Sequence, residues 1–431
     1  MLQSDHGINR AGHFTVAGVD TVSLAEKYGT PLYVLNEDVI RGQMRRYKAA
    51  MAEHFPAGSM PLFASKALSF KEIYRIAREE GLGADVVSSG ELYTALAAEF
   101  PPERLCFHGS AKTLEDVRYG VEAGVGRFVA DNEEELARIG RCATEKGLRQ
   151  RVLLRLTPGI DPHTFAAVNT GRVDSKFGAA IETGQAMEFV KKALATPGIA
   201  LEGFHCHIGS QITEAGPYLD AIDIMVAFMA QVRAELGFTA GILNLGGGPA
   251  AVYTAGDPAV DIGGLMAALG EQLRRRCGAL AYPAPTVLME PGRSIVAEAG
   301  VTLYTVQTIK SIPGYKDYVA VDGGMTDNPR YALYQARYTA LVANRAGEPA
   351  DYRATLAGRC CESGDLLGED MPMQRAQVGD IVAVLTTGAY NYSMASNYNR
   401  VPRPPVVMLR EGKDRLVVRR ETFADVAVCD L

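Results

Sequence analysis

From residue 60 to residue 290 short apolar runs alternate with helix-length amphipathic stretches. Strand-like runs fall at 60–65, 84–88, 105–108, 127–130, 152–156, 203–208, 242–245 and 286–290. Between them, 70–80, 90–99, 113–123, 132–146, 183–195, 218–236 and 262–277 carry apolar residues at helical spacing. Such alternation predicts βα units and a parallel sheet. About eight repeats in roughly 250 residues match a closed (β/α)8 TIM-type barrel better than an open doubly wound sheet. After Ser294 the texture changes to short β-branched runs at 301–306, 318–321, 381–385 and 415–418, separated by Gly, Pro and Asp turns. That pattern predicts an all-β domain. Strand-prone segments at 13–16 and 31–35 are expected to complete it, with a short helix at 23–29 stopped by glycine. Asn36 or Asp38 is available to cap the helix that follows. The expected division is therefore a barrel over 37–294 and a β domain built from 1–36 and 295–431.

At 431 residues the chain exceeds one ordinary compact core, which agrees with two domains. An apolar fraction of 47% and a charged fraction of 22% describe a globular protein in water. A net charge of -6 leaves no basic face for nucleic acid or anionic lipid, and the triplet Arg274-Arg275-Arg276 reads as the solvated side of a helix. Seven scattered cysteines suit a reducing compartment, not a disulfide framework. With no signal-like start and no run apolar enough to span a bilayer, a cytoplasmic location is expected.

The unusual polar residues fall at the C-terminal ends of the strand-like runs, where barrel enzymes place their chemistry. Lys66, Asp85 with Ser88, His108, His207 with Ser210, Gly246-Gly247-Gly248, and Glu290 with Arg293 all stand there. Three glycines after a buried strand have no side chains to hold a ligand away, and their N–H groups can converge on a phosphate. A desolvated lysine near cations favours the neutral amine that forms a Schiff base. Phosphate nest, lysine and acid together propose pyridoxal 5'-phosphate (PLP). An acid such as Glu290 facing a pyridine nitrogen keeps it protonated, which favours decarboxylation over racemisation. His205 and His207 share one strand face and invite a zinc reading, but a second ligand pair at matching spacing is missing, so no metal is expected. One histidine stacked on the cofactor, with the Ser210 hydroxyl on its phosphate, is the better reading. In the β domain, a turn around Cys360-Cys361-Glu362 holds thiols and an acid, and a cysteine there can donate a proton. Arg330 can clamp a substrate carboxylate, and Tyr390 can reach a phosphate or the ring.

These motifs resemble those of the fold-type III, alanine-racemase-like PLP-dependent decarboxylases over nearly the whole chain. The matching stretches are Ala64-Ser65-Lys66-Ala67, 83–92, Asp174-Ser175-Lys176-Phe177-Gly178, 205–211, 246–248, 290–293, 361–365 and 388–390. The resemblance implies that Lys66 carries PLP, that His207 stacks on its ring and that Glu290 meets its nitrogen. Ser210, Gly246, Gly247, Gly248, Gly292, Arg293 and Tyr390 are implied around the cofactor and its phosphate. Arg330 and Tyr334 are implied to hold a substrate carboxylate, with Arg293 and Tyr390 sharing that contact. Glu362 is implied to pair with the distal amino group, and Cys361 to donate a proton from the neighbouring subunit of a homodimer. Leu68 stands where asparagine is frequent, Pro249 where an aromatic is usual, and Cys360 doubles the thiol.

The expected reaction is decarboxylation of meso-2,6-diaminopimelate to L-lysine and CO2. A basic amino-acid decarboxylase acting on ornithine, lysine or arginine is the nearest rival, but its substrate gives no reason for Arg330 and Tyr334. A non-catalytic PLP-binding regulator is a rival of another class, against which Lys66, Glu290 and Cys361 together speak.

Overall fold

Parallel strands close on themselves at the centre of the chain. In the computed structural model, which describes residues 3–160 and 175–431, they are β1 (Met60–Ala64), β2 (Gly83–Val86), β3 (Leu105–Phe107), β4 (Arg127–Ala130), β5 (Gln150–Thr157), β6 (Ile199–His205), β7 (Ile242–Asn244) and β8 (Thr286–Met289). Each pairs with its successor, and β8 returns to β1 through Leu288↔Met60 and Met289↔Pro61. The fold is the TIM-type barrel expected from the repeat. Leu62, Cys106, Val129, Leu153 and Leu288, from five of its strands, form one apolar layer.

Helices follow the strands at Lys71–Glu79, Ser89–Ala97, Leu114–Ala123, Glu133–Glu145, Gln185–Ala195, Gly216–Leu236 and Ile262–Ala279. Their starts are set by caps: Ser88 accepts from Glu91 N, Asn132 from Glu135 N, and Thr113 and Asp116 cap each other reciprocally. Ser88, one of the strand-end polar residues, thus has a structural task. Only β6 departs clearly from its expected position. It runs from Ile199, with a register shift between Leu201 and Gly203 against β5, and stops at His205. Cys206 N–H still reaches Asn244 O at 2.9 Å, but the chain then turns away through Gly209 at φ 151°. Apolar Cys206 and Ile208 only imitate a longer strand.

Gly203 lies where β6 presses on β7, and a Cβ there would stand 1.9 Å from Ile242 O. Gly203→Ala is expected to cost about 1–3 kcal/mol by overpacking. A urea-unfolding midpoint equal to that of the wild-type chain would contradict this.

The chain divides into two compact units. Arg41–Ala250 and Ala259–Gly292 make the barrel unit. Residues up to Ile40, Ala251–Pro258 and Arg293–Leu431 make the β unit. The spine of the β unit is Gly300–Ile312, which pairs antiparallel with Leu32–Asn36, Lys316–Val321 and Ile381–Leu385. Leu32–Asn36 also pairs parallel with Val406–Arg410, so the N-terminal segment does complete the C-terminal sheet. The earliest strands instead form a small sheet of their own, His6–Ile8, Phe14–Val16 and Val19–Asp20. Phe14 and Val16 still enter the core of this unit beside Leu32, Val34, Val301 and Leu303. Asn36 Oδ1 accepts from Asp38 N at 3.0 Å and is the cap at the start of the helix Glu37–His54.

Candidate active site

At the mouth of the barrel, Lys66 sits in a 3-10 turn, Ser65–Ala67, directly after β1, and its side chain is exposed. The turn is tied to its neighbours: Ser65 N–H donates to Asp85 Oδ1 at 3.0 Å, and Ser65 Oγ to Glu91 Oε2 at 2.9 Å. Burial pushes the Asp85 carboxyl well above its usual range, and the nearby Glu290 charge adds to this while Lys66 opposes it. Lys66 and Glu290 belong to adjacent strands, joined past their ends by Ala64 N–H to Pro291 O at 3.1 Å.

Glu290 is 7% exposed and is met by polar side chains from three strand ends. Asn244 Nδ2 donates to Oε1 at 2.6 Å, His205 Nε2 lies 3.3 Å from Oε2, and His108 Nε2 lies 2.8 Å from Oε1. Asn244 Oδ1 accepts from Gly246 N–H at 2.9 Å, so the side-chain amide orientation is determined. Burial would raise the Glu290 carboxyl, but His108 and His205 beside it hold it well below the usual carboxylate range. Burial pulls His205 down to about 4 and lowers His108 as well. The ligand-type atoms of His108, His205 and Glu290 lie within 4.8 Å of one another. Asn244 Nδ2 donates to the same carboxylate, so Glu290 Oε1 serves there as a hydrogen-bond acceptor.

His207, past the end of β6, does not join this group. Its Nδ1 accepts from Gly247 N–H at 3.2 Å, so the ring proton is on Nε2. Burial, with Lys66 and Arg155 nearby, lowers its pKa well below the usual value, which agrees with that tautomer. The glycine turn therefore spends two of its amides on Asn244 and His207. It is glycine for reasons of crowding as well. Gly246 has φ 69°, and a Cβ on Gly247 would meet Glu290 O at 2.4 Å. Gly292 is equally tight, with Ala64 Cβ 2.8 Å from the position of an added Cβ. Ser210 is half-buried in the loop that follows His207.

The β unit holds a second cluster. Arg293 Nη1 donates to Tyr253 Oη at 2.7 Å, and Arg330 Nη1 donates to the same oxygen at 3.1 Å and to Tyr338 Oη at 3.2 Å. Both arginines lie over the Tyr390 ring, at 4.7 and 5.5 Å from its centroid. Tyr390 itself is held at φ 69°, a left-handed conformation that an aromatic residue adopts only where its surroundings impose it. Arg330 is 6% exposed and has no carboxylate partner among the described residues. Tyr334, at 37% exposure, and Glu362, also exposed, make no side-chain hydrogen bond to this cluster among the described residues.

Cys361 is exposed, whereas Cys360 is half-buried and pushed up to about 11 by burial and the Asp365 carboxylate. Asp365 bonds Cys360 N–H and Met325 N–H at 2.6 Å each and so ties the thiol turn to the segment leading to Arg330. Asp174 of the sequence motif lies outside the described residues.

Sequence reading gave no role to Glu91, Asn244, Tyr253 or Asp365, although Glu91 and Asp365 lie within the matching stretches. A signal existed for Asn244, a polar residue closing an apolar strand, but none for Tyr253.

The residues present suit PLP. An accessible amine and an ionised buried carboxylate stand at adjacent strand ends, with an imidazole fixed on the glycine turn by Gly247 N–H. Residues 38–297 match the family described as "Pyridoxal-dependent decarboxylase, pyridoxal binding domain". The chain belongs to the pyridoxal-dependent decarboxylases, which use PLP. Within that class its relatives are diaminopimelate decarboxylases. That of Bacillus subtilis (strain 168) is 44% identical over 98% of this chain and 96% of its own length, and that of Staphylococcus aureus (strain COL) 41% over 98% of each. The crystal structure of the M. jannaschii diaminopimelate decarboxylase in complex with L-lysine superposes with a TM-score of 0.93 at 34% identity, covering 100% of this chain and 99% of that one. The Vibrio vulnificus lysine/ornithine decarboxylase in complex with putrescine is more distant, with a TM-score of 0.77 at 26% identity over 91% of this chain and 97% of that one.

Proposed function

We propose that this chain decarboxylates meso-2,6-diaminopimelate to L-lysine and CO2, the last step of lysine formation. The observation that carries the choice of substrate is Arg330, a buried cation held by two phenols and facing no carboxylate among the described residues. Burying such a charge is costly unless an anion arrives to meet it. A distal carboxylate on the substrate is such an anion, and ornithine, lysine and arginine have none at that end.

PLP, when bound, supplies the electron sink that accepts the pair left behind as CO2 departs. Lys66 is the amine that anchors it. Glu290 keeps a proton on the pyridine nitrogen, and its hydrogen bonds from Asn244 and His205 hold the carboxylate ionised for that task. His207 holds the ring. Ser210, Gly246, Gly247, Gly248, Gly292, Arg293 and Tyr390 hold the rest of the cofactor and its phosphate. Arg330 and Tyr334 take the distal carboxylate, with Arg293 and Tyr390 contributing, and Glu362 takes the distal ammonium. Cys361 protonates the α-carbon after CO2 leaves. Its neighbour Cys360, bonded to Asp365 and hard to ionise, is a fixed part of the turn. Cys361 and Glu362 act on the site of a neighbouring subunit, which makes the working unit a homodimer located in the cytoplasm. Among the described residues no helix is long and apolar enough to cross a membrane.

CO2 release measured on diaminopimelate, ornithine, lysine and arginine tests the assignment. The kcat/KM for diaminopimelate is expected to exceed the others by about 10⁴-fold, the penalty for leaving a buried polar site unmatched. Preference for ornithine would overturn it.

A further inference from the structure

We propose that Tyr253 is a positioning residue: its one phenol oxygen sets where Arg293 and Arg330 stand, and so fixes the site for the distal carboxylate. The proposal deepens the role given to Arg330 and rests on it. Tyr253 Oη accepts from Arg293 at 2.7 Å and from Arg330 at 3.1 Å, which occupies both of its lone pairs. The ring supports the same two cations, with guanidinium carbons 5.9 and 5.6 Å from its centroid.

Tyr253 is itself held firmly. Its N–H donates to Asp257 Oδ2 at 2.9 Å, its carbonyl accepts from Thr339 Oγ1 at 3.0 Å, and its ring meets Tyr338 edge-on at 5.4 Å. Tyr338 continues the frame to Asn391 Oδ1 at 3.4 Å, next to Tyr390 in the chain. The phenol is thus an anchored point to which two flexible side chains are bound.

The choice of a phenol has a chemical reason. Two guanidinium groups drawn to one oxygen repel each other, and a carboxylate in that place would hold them more strongly. It would also cancel their charge and compete with the substrate carboxylate for the same donors. A phenol oxygen orients the arginines without neutralising them, so their field remains available to an incoming anion. Its remaining capacity is to donate its own proton, which also suits an anion.

Tyr253→Phe in the PLP-loaded enzyme removes that oxygen and keeps the ring. Expected are a KM for diaminopimelate raised about tenfold, the scale of one hydrogen bond to a charged group, and a kcat within about twofold of wild type. L-Lysine keeps the distal carboxylate and 1,5-diaminopentane lacks it, so as competitors they separate positioning from general damage. L-Lysine inhibition is expected to weaken with KM, while 1,5-diaminopentane inhibition, the cofactor absorbance and the unfolding midpoint stay as in wild type. Tyr253→Glu, which neutralises the arginines, is expected to weaken L-lysine still further. Unchanged L-lysine inhibition in Tyr253→Phe, or equal loss for both competitors, would overturn the proposal. Arg330→Gln separates the two levels. If it weakens L-lysine while Tyr253→Phe does not, only the role of Tyr253 falls; if it too leaves L-lysine unaffected, the carboxylate assignment of Arg330 falls with it.

Discussion

Lys66→Ala is expected to bring decarboxylation down to the assay background, a loss of at least about 10⁴-fold, the order seen when a covalent group is removed outright. Its amine stands exposed at the end of β1, next to the strand that delivers Glu290. Lys112, beyond the end of β3, is not placed to substitute. Lys112 is buried with its Nζ locked by Gly109 O at 2.9 Å, Val129 O at 2.8 Å and Glu135 Oε1 at 2.6 Å. The variant is also expected to lose the absorbance near roughly 420 nm of a covalently held cofactor while keeping its far-ultraviolet circular dichroism. Activity within about tenfold of wild type would remove Lys66 from the role of anchor.

The second large effect is expected at Glu290. Glu290→Gln keeps the shape and removes the charge, and kcat is expected to fall about 10²–10³-fold, the scale for losing one preorganised electrostatic contact. The surroundings make this change worse than a neutral swap. Asn244 Nδ2 and His205 Nε2 both point donors at the carboxylate, and a glutamine amide cannot accept from both sides. Because Glu290 is held far below the usual carboxylate range and His205 is drawn down to about 4, the deficit is expected to be the same from about pH 6 to pH 8. Single-turnover rates across that interval check it. A variant retaining a third of wild-type kcat would show that no anion is needed at the ring nitrogen.

Reading the chain in order located most of the barrel because its signal is repeated and local. The helices at 113–123 and 132–146 begin within a residue of the caps Thr113 and Asn132, since cap and apolar period are properties of neighbouring residues. β6 was less legible. Cys206 and Ile208 are apolar for burial in a loop, and period alone cannot separate that from a strand. His205 and His207 show the consequence. Their spacing suggested one shared face, but the strand stops between them, so one ring turns to Glu290 and the other to Gly247.

By itself the sequence determined the repeat, the switch to β texture after Ser294, and the placement of Lys66, the glycines and Glu290 at strand ends, because two-residue and 3.6-residue periods are written into adjacent positions. Tertiary structure alone decided which side chains meet. The Glu290 carboxylate is set by Asn244, His205 and His108 from three other strands, and Arg293 and Arg330 share the oxygen of Tyr253. Those partnerships depend on the register between segments far apart in the chain, and on which polar atoms burial leaves in need of one another.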